Sequence, residues 1–240
     1  GGSAGGVDHI AAALFARAFG SENVLCVMMP YRTSNPASER DARSVADQLG
    51  VTTRRVEISA MADGYLDALE VADPTRRGNV MARCRMIVLY DLSVHWQGLV
   101  VGTSNKTELL LGYSTQFGDA ASALNPLGDL YKHQVYQLAR HLDLPAAVLD
   151  KAPSADLVEG QTDEDDLGFT YAEADGLLQL MVEQRYSEAE LVEAGFDPAF
   201  VRRVASRIVA NQYKRLPPVI AKLGFRSINH DFRYLRSWKH

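Results

Sequence analysis

The chain has 240 residues, 47% hydrophobic and 23% charged, enough for one large or two small domains around a substantial core. A formal net charge of -5 excludes a general nucleic-acid coat and a cationic membrane binder. Two cysteines, Cys26 and Cys84, give no disulfide framework, and no apolar run is long enough to span a bilayer, so an enzyme-sized cytoplasmic protein is expected.

The chain opens GGSAGGVDHI, a glycine-rich stretch leading into a helix over residues 8–19 that ends at Gly20. Such a turn can aim several backbone N–H groups at a phosphate, helped by the helix dipole. It is neither a Walker loop nor a G-x-G-x-x-G fingerprint. On its own letters such a start is more often a flexible terminus. Asp8 in the first turn either offsets the dipole or, beside phosphates, holds Mg²⁺.

Residues 23–29, NVLCVMM, form an apolar run of strand length. A helix follows, with Ser34 and Asn35 as cap candidates, Pro36 in the first turn and Gly50 at its close. Residues 53–58 alternate as a strand, 60–69 suit a short helix, 78–98 a long one, and GLVVGT (98–103) a buried strand. Strands separated by helices imply parallel βαβ units with ligands at the carboxyl ends of the strands. Beyond Tyr131 the pattern turns helical. The stretches 112–128 and 153–168 are long and rich in Gly, Ser, Asp and Pro, a composition expected of functional loops.

The most informative run is VVGTSNKTELLLGYSTQFGD. A strand ends at Gly102, a polar turn starts a helix carrying Lys106 and Glu108, and a loop reaches Asp119. Hydroxyls at a strand end with nearby carboxylates suit a phosphate–metal site; a capped helix with solvated charges is the plain alternative. Taken with GNVMARCRM before it and NPLGDLYKHQV, KAPSADL, EGQTDEDDLG and YKRLPP after it, the run resembles ammonia-dependent NAD synthetase. That family belongs to the ATP pyrophosphatases whose phosphate loop reads S-G-G-x-D-S. The motifs match in order from about residue 4 to about residue 218.

The resemblance implies an α/β fold of the adenine-nucleotide α-hydrolase-like, Rossmann type, with a parallel sheet flanked by helices and a helical C-terminal region. One domain would span residues 1–218, followed by a basic tail over 219–240. The implied reaction has two steps: ATP adenylates the nicotinate carboxylate of deamido-NAD, and ammonia then displaces AMP to give NAD. No glutaminase region is visible, so free ammonia or ammonia from a separate partner is expected. The family is homodimeric and binds small molecules, with no nucleic acid or membrane partner.

Residue by residue, the resemblance makes Ala4, Gly5, Gly6, Val7, Asp8 and His9 the pyrophosphate loop. Asp8 and Glu108 become the Mg²⁺ ligands. Met29, Thr103, Lys132 and Ser154 fall on ATP-contacting positions; an ordinary strand end and a solvated first-turn lysine are the plain alternatives for Met29 and Lys132. Asn79, Arg83 and Tyr90 fall on deamido-NAD positions, and their spacing puts them on one helical face. A structural ion pair is the alternative for Arg83. Gln116, Asp119, Asp166 and Leu167 complete the substrate side, with Asp119 and Lys132 as catalytic groups.

The chain departs from the family pattern at several places. Ala4 and His9 replace serines, Gln116 a lysine, Tyr213 a histidine, and Asp166 a glutamate; Ala123 stands where an acid is often found. The family also has a helix and a central strand ahead of the loop, whereas this chain starts at the loop. Either the natural protein is longer or its sheet is built differently. Two other functions stay open at this point: another ATP pyrophosphatase acting on a different acid, and a nucleotide-binding relative without turnover.

Overall fold

The computed structural model describes residues 7–144 and 163–228. Helix α1 (Val7–Phe19) leads through a 3₁₀ turn to strand β1 (Leu25–Met28), helix α2 (Pro36–Leu49) and strand β2 (Thr52–Arg55). β1 and β2 are parallel, in a register that pairs Leu25 with Thr52 and Met28 with Arg55. The ladder runs on beyond both strands: Val56 N–H donates to the Met28 carbonyl at 2.9 Å and Ile58 N–H to the Pro30 carbonyl at 3.0 Å. This is one βαβ unit, as the alternation of elements predicts.

Local chemistry sets the borders of α2. Asn35 is the cap, its side chain accepting from Ala37 N–H, and Gly50 closes the helix in the left-handed conformation at φ 66°. Ser34, the other cap candidate, instead accepts from Tyr31 N–H. β2 is the polar sequence TTRR and is exposed along its length. Charged side chains of this kind protect a sheet edge from further pairing. Arg55 and Arg43 both bond Glu39 of α2, and these partners hold the Glu39 carboxyl below its usual range.

Helix α3 (Ser59–Ala68) precedes the long helix α4 (Pro74–Trp96). α4 starts four residues earlier than the sequence pattern predicts. Asp73 caps it, accepting from Arg76 N–H at 2.7 Å, and Pro74 fills the first position. The predicted strand 98–103 is reduced to a single parallel bridge, Val101 to Leu124. Two hydrogen bonds carry that pairing, from Gly102 N–H to the Leu124 carbonyl and from Ala123 N–H to the Val100 carbonyl. Too few consecutive residues pair for a strand to form.

The remaining helices are α5 (Lys106–Leu111), α6 (Lys132–His141), α7 (Asp163–Leu167), α8 (Tyr171–Leu178), α9 (Glu188–Glu193) and α10 (Pro198–Ala210). A π turn over Gln179–Glu183 extends α8. The core has three parts. One joins α1, α2 and α6 through Ile10, Val45, Leu127 and Val135. A second packs α3 and α4 beneath the strand ends through Ile58, Leu66, Met81 and Leu92. The third is helical and holds Leu111, Tyr131, Leu177, Leu191 and Val204. Among the described residues no helix is long and apolar enough to cross a membrane.

Candidate functional site

Helix α4 and the loop over residues 115–119 form the more polar half of the site. The Thr115 hydroxyl donates to Asn79 Oδ1 at 2.7 Å, and Arg83 Nη2 donates to the Gln116 carbonyl at 3.2 Å. Thr115 N–H in turn donates to Asp119 Oδ1 at 2.7 Å. Four predicted substrate-side residues, Asn79, Arg83, Gln116 and Asp119, thus meet at one turn. The turn is tight, with Phe117 at φ 60°. A Cβ on Gly118 would lie 3.0 Å from the Ala82 and Thr115 side chains, so only glycine lets this backbone lie against α4.

Asp119 is exposed on its solvent side, with protein atoms packed around the rest of its carboxyl. That desolvation pushes its carboxyl above the usual range, against the lowering effect of the Thr115 amide. Tyr90 is on the same face of α4 about two turns beyond Arg83 and is exposed; among the described residues no hydrogen bond joins it to the loop, and its carbonyl accepts from the Ser93 hydroxyl.

Asp8, His9, Met29 and Thr103, all predicted on the ATP side, line one cavity of about 1310 Å³ that runs along the whole of β1, from Asn23 before it to Arg32 beyond it. Met29 directly follows the carboxyl end of β1, the place where ligands of parallel α/β sheets bind. The cavity reaches both β1 and the segment 99–101, and its volume exceeds that of an ordinary small-molecule pocket. Met29 is buried, and its carbonyl accepts from Arg85 Nε at 3.0 Å. The neighbouring Val7 is a core residue. Burial beside Asp8 pushes the Cys26 thiol up to about 11, which makes it a poor nucleophile. Ala4, Gly5, Gly6 and Ser154 lie outside the described residues.

Lys132 and Glu108 form a second centre. Lys132 is 1% exposed and its Nζ donates to Glu108 Oε1 at 3.0 Å. Glu108 Oε2 accepts from Asn105 N–H, and Asn105 Oδ1 accepts from Glu108 N–H, so the carboxylate also closes the capping box of α5. Burial alone would lower the Lys132 pKa, but the Glu108 carboxylate outweighs it and the net shift is upward. The ammonium stacks on the Tyr171 ring at 4.7 Å. Lys132 is therefore no solvated first-turn lysine.

Helix α7 lies nearby. Tyr171 donates to Asp163 Oδ2 at 3.0 Å and Tyr113 to Asp166 Oδ2 at 2.9 Å. Desolvation raises the Asp163 carboxyl, opposed by Lys132. Leu167 places its side chain in the helical core, which leaves only its backbone for a ligand.

Two of the predicted residues, Asp8 and Glu108, offer hard oxygen donors suited to Mg²⁺. Asp8 Oδ1 is buried with no hydrogen-bond partner among the described residues, as a carboxylate oxygen reserved for a hard cation would be. Glu108 is a hard donor too, though it already serves Lys132 and Asn105. Among the described residues no group of three or more Asp, Glu, His or Cys side chains is placed to hold a metal ion by itself. One or two carboxylates plus substrate phosphates match the usual habit of Mg²⁺, so the residues fit that ion.

Two further residues escape single-residue reading. Lys214 Nζ donates to the carbonyls of Gly112 and Ser114, both at 2.7 Å, and so clamps the start of the 115–119 loop. Its only sequence signal is the YKR triplet. Arg85 is buried on the opposite face of α4 from Arg83, and its contact with Met29 ties that helix to the strand end.

A βαβ unit with a large cavity along its first strand, and a polar loop held on the other face of a long helix, together mark an α/β protein of the small-ligand-binding class. The NAD synthase family model matches residues 1–218. The chain is 53% identical over 239 residues to the NH(3)-dependent NAD(+) synthetase of Chlorobium phaeobacteroides (strain BS1), covering 99% of this chain and 86% of that one. Among solved structures it resembles the NH3-dependent NAD synthetase from Campylobacter jejuni subsp. jejuni NCTC 11168, at 33% identity and TM-score 0.76, over 91% of this chain and 86% of that one. It also resembles the NMN synthetase from Francisella tularensis, at 30% identity and TM-score 0.77, with the same coverage. The chain belongs to the NAD synthase family. Its activity is that of an NAD synthetase, a ligase that forms a C–N bond.

Proposed function

We propose that the chain converts deamido-NAD to NAD with ATP and ammonia, in two steps. The nicotinate carboxylate attacks the α-phosphate of ATP, releasing pyrophosphate and leaving an acyl-adenylate. Ammonia then attacks the activated carbonyl carbon and AMP departs. Adenylation is needed because a carboxylate is a poor electrophile, and AMP is a far better leaving group than oxide.

The observation that carries this reading is the junction of Asn79, Arg83, Gln116 and Asp119 at one turn. Asn79, Arg83 and Gln116 would hold the substrate against α4. Asp119, with its raised carboxyl, would accept a proton from ammonium as it enters. Tyr90, Asp166 and the Leu167 backbone would bound the same ligand. On the ATP side the loop from Ala4 to His9, with Met29, Thr103 and Ser154, would seat the nucleotide. Lys132 would offset charge developing on the phosphates. Asp8 and Glu108 would hold Mg²⁺, which when bound neutralises phosphate oxygens.

A homodimer is part of the proposal. Arg83, Ile87, Tyr90 and Val94 form one stripe along α4, and Ile87 and Val94 are 53% and 79% exposed. An apolar stripe continuous with substrate-binding residues supports a second copy docking there. Two free cysteines support a cytoplasmic setting. Residues 1–218 are proposed as a single domain.

A second reading, amidation of nicotinate mononucleotide, draws support from the likeness to NMN synthetase. The 53% identical relative favours deamido-NAD. The test supplies ATP, Mg²⁺ and ammonium with either acid and follows the amide and AMP together. NAD and AMP in equal amounts are expected. Turnover of nicotinate mononucleotide alone would overturn the first reading in favour of the second.

A further inference from the structure

Helix α6 starts without a capping side chain of its own. Tyr131 occupies the N-cap position, where Ser, Thr, Asp or Asn would ordinarily serve the free amides. Its first two amides are instead satisfied from distant parts of the chain. Lys132 N–H donates to Thr107 Oγ1 at 3.0 Å, and His133 N–H donates to Asp175 Oδ2 at 2.8 Å. The Thr107 hydroxyl donates onward to Asp175 Oδ1 at 2.5 Å, and His133 Nδ1 lies 2.9 Å from Asp175 Oδ2. Thr107 is fully buried and Asp175 is 3% exposed. One carboxylate therefore joins α5, α6 and α8.

Both ties end beside the buried Lys132–Glu108 pair. Thr107 immediately precedes Glu108, and its hydroxyl holds the backbone of Lys132 itself. We propose that Asp175 is a positioning residue for the reaction, fixing Lys132 and Glu108 relative to each other through Thr107 and the first amides of α6. The inference rests on the reading of Lys132 and Glu108 as ATP-side groups. The chemistry calls for a carboxylate. It accepts from a hydroxyl on one oxygen and an amide on the other, and its charge sits at the positive end of α6. A carboxamide of the same shape accepts on one side only.

The test measures steady-state kinetics of the full chain with deamido-NAD, ATP and ammonium for Asp175→Asn, Thr107→Val and Thr107→Ser. Asp175→Asn and Thr107→Val should each lower kcat about tenfold or more, the scale set by small misplacements of reacting groups. KM for deamido-NAD should stay within about twofold of wild type, because the α4 contacts are untouched. Thr107→Ser, which restores the hydroxyl, should recover most of the turnover lost in Thr107→Val. In a double-mutant cycle on kcat/KM for ATP, Asp175→Asn should add little to the loss caused by Lys132→Met. Normal turnover in Asp175→Asn, or losses that add in full, would overturn the proposal. So would a failure of both isosteric variants to fold, which would mark the tie as a folding determinant only. If Lys132→Met itself turns over normally, the ATP-side reading falls and takes this inference with it. If Lys132→Met is impaired while Asp175→Asn is not, only the role of Asp175 falls.

Discussion

Lys132 and Glu108 are paired at 3.0 Å with side chains only 1% and 11% exposed, so each holds the other's charge away from water. Removing one partner leaves the other as an uncompensated buried charge, which typically costs about 3–5 kcal/mol. Lys132→Met should therefore lower unfolding stability by roughly that amount in urea titration. Turnover should fall about 100-fold or more, beyond any loss of folded protein, if the ammonium also steadies phosphate charge. Full activity in the folded fraction would contradict the phosphate role.

Arg83 is exposed and donates to the Gln116 carbonyl. Arg83→Ala should leave the melting temperature nearly unchanged, as surface substitutions usually do. The expected kinetic change is a rise of about tenfold in KM for deamido-NAD with KM for ATP unaffected, a loss of roughly 1.4 kcal/mol of substrate binding. An equal rise for both substrates would place the defect in the fold rather than in recognition.

The Asp119 carboxyl is raised by desolvation, which fixes a sign. The folded state keeps this proton to a higher pH than the unfolded chain does, so the associated stability is present below the ordinary carboxylate range of about 4. It is lost as pH rises through the elevated folded value. Asp119→Asn should abolish that decline and flatten the stability profile just above pH 4. Denaturant midpoints across mildly acidic pH check it. The same variant should slow amide formation if Asp119 takes the proton from ammonium, and a parallel wild-type rate would remove that role.

Gly112 closes α5 at φ 65°, and a Cβ there would meet the Asn211 side chain at 2.2 Å. Gly112→Ala combines left-handed strain with overpacking, together about 2–4 kcal/mol. The loss of midpoint in urea should exceed that of Gly64→Ala, whose Cβ would enter open space.

The legible parts of the fold were those with local causes. Asn35, Pro36 and Gly50 mark α2 because caps act within one turn. Gly20 marks the end of α1 for the same reason. The strand expected over 98–103 shrinks to one bridge, because strand formation needs a neighbour and sequence does not say whether Val100–Gly102 will have one. The apolar periodicity places the start of α4 four residues late, because the Asp73–Pro74 start lies outside it. In the site, motif reaches Asn79, Arg83 and Asp119, yet what joins them is the Thr115 hydroxyl and amide, for Asn79 and Asp119, and the Gln116 carbonyl, for Arg83, and Thr115 and a backbone carbonyl carry no motif signal. Asp175 was invisible: its partners lie 68 and 42 residues away, and in sequence it is one more acid on a helix.

That long separation bears on synthesis at the ribosome. When residues 132–141 have been made, the Thr107 partner of the Lys132 amide is already in the chain, but Asp175, the partner of the His133 amide, is still untranslated. At about 5–20 residues per second, the carboxylate follows His133 by roughly 2–8 s. During that interval the nascent chain carries a helix start it cannot finish. Completion of the Lys132–Glu108 centre is thereby coupled to delivery of α8, so a chain truncated before residue 175 would hold both charged groups without the carboxylate that aligns them.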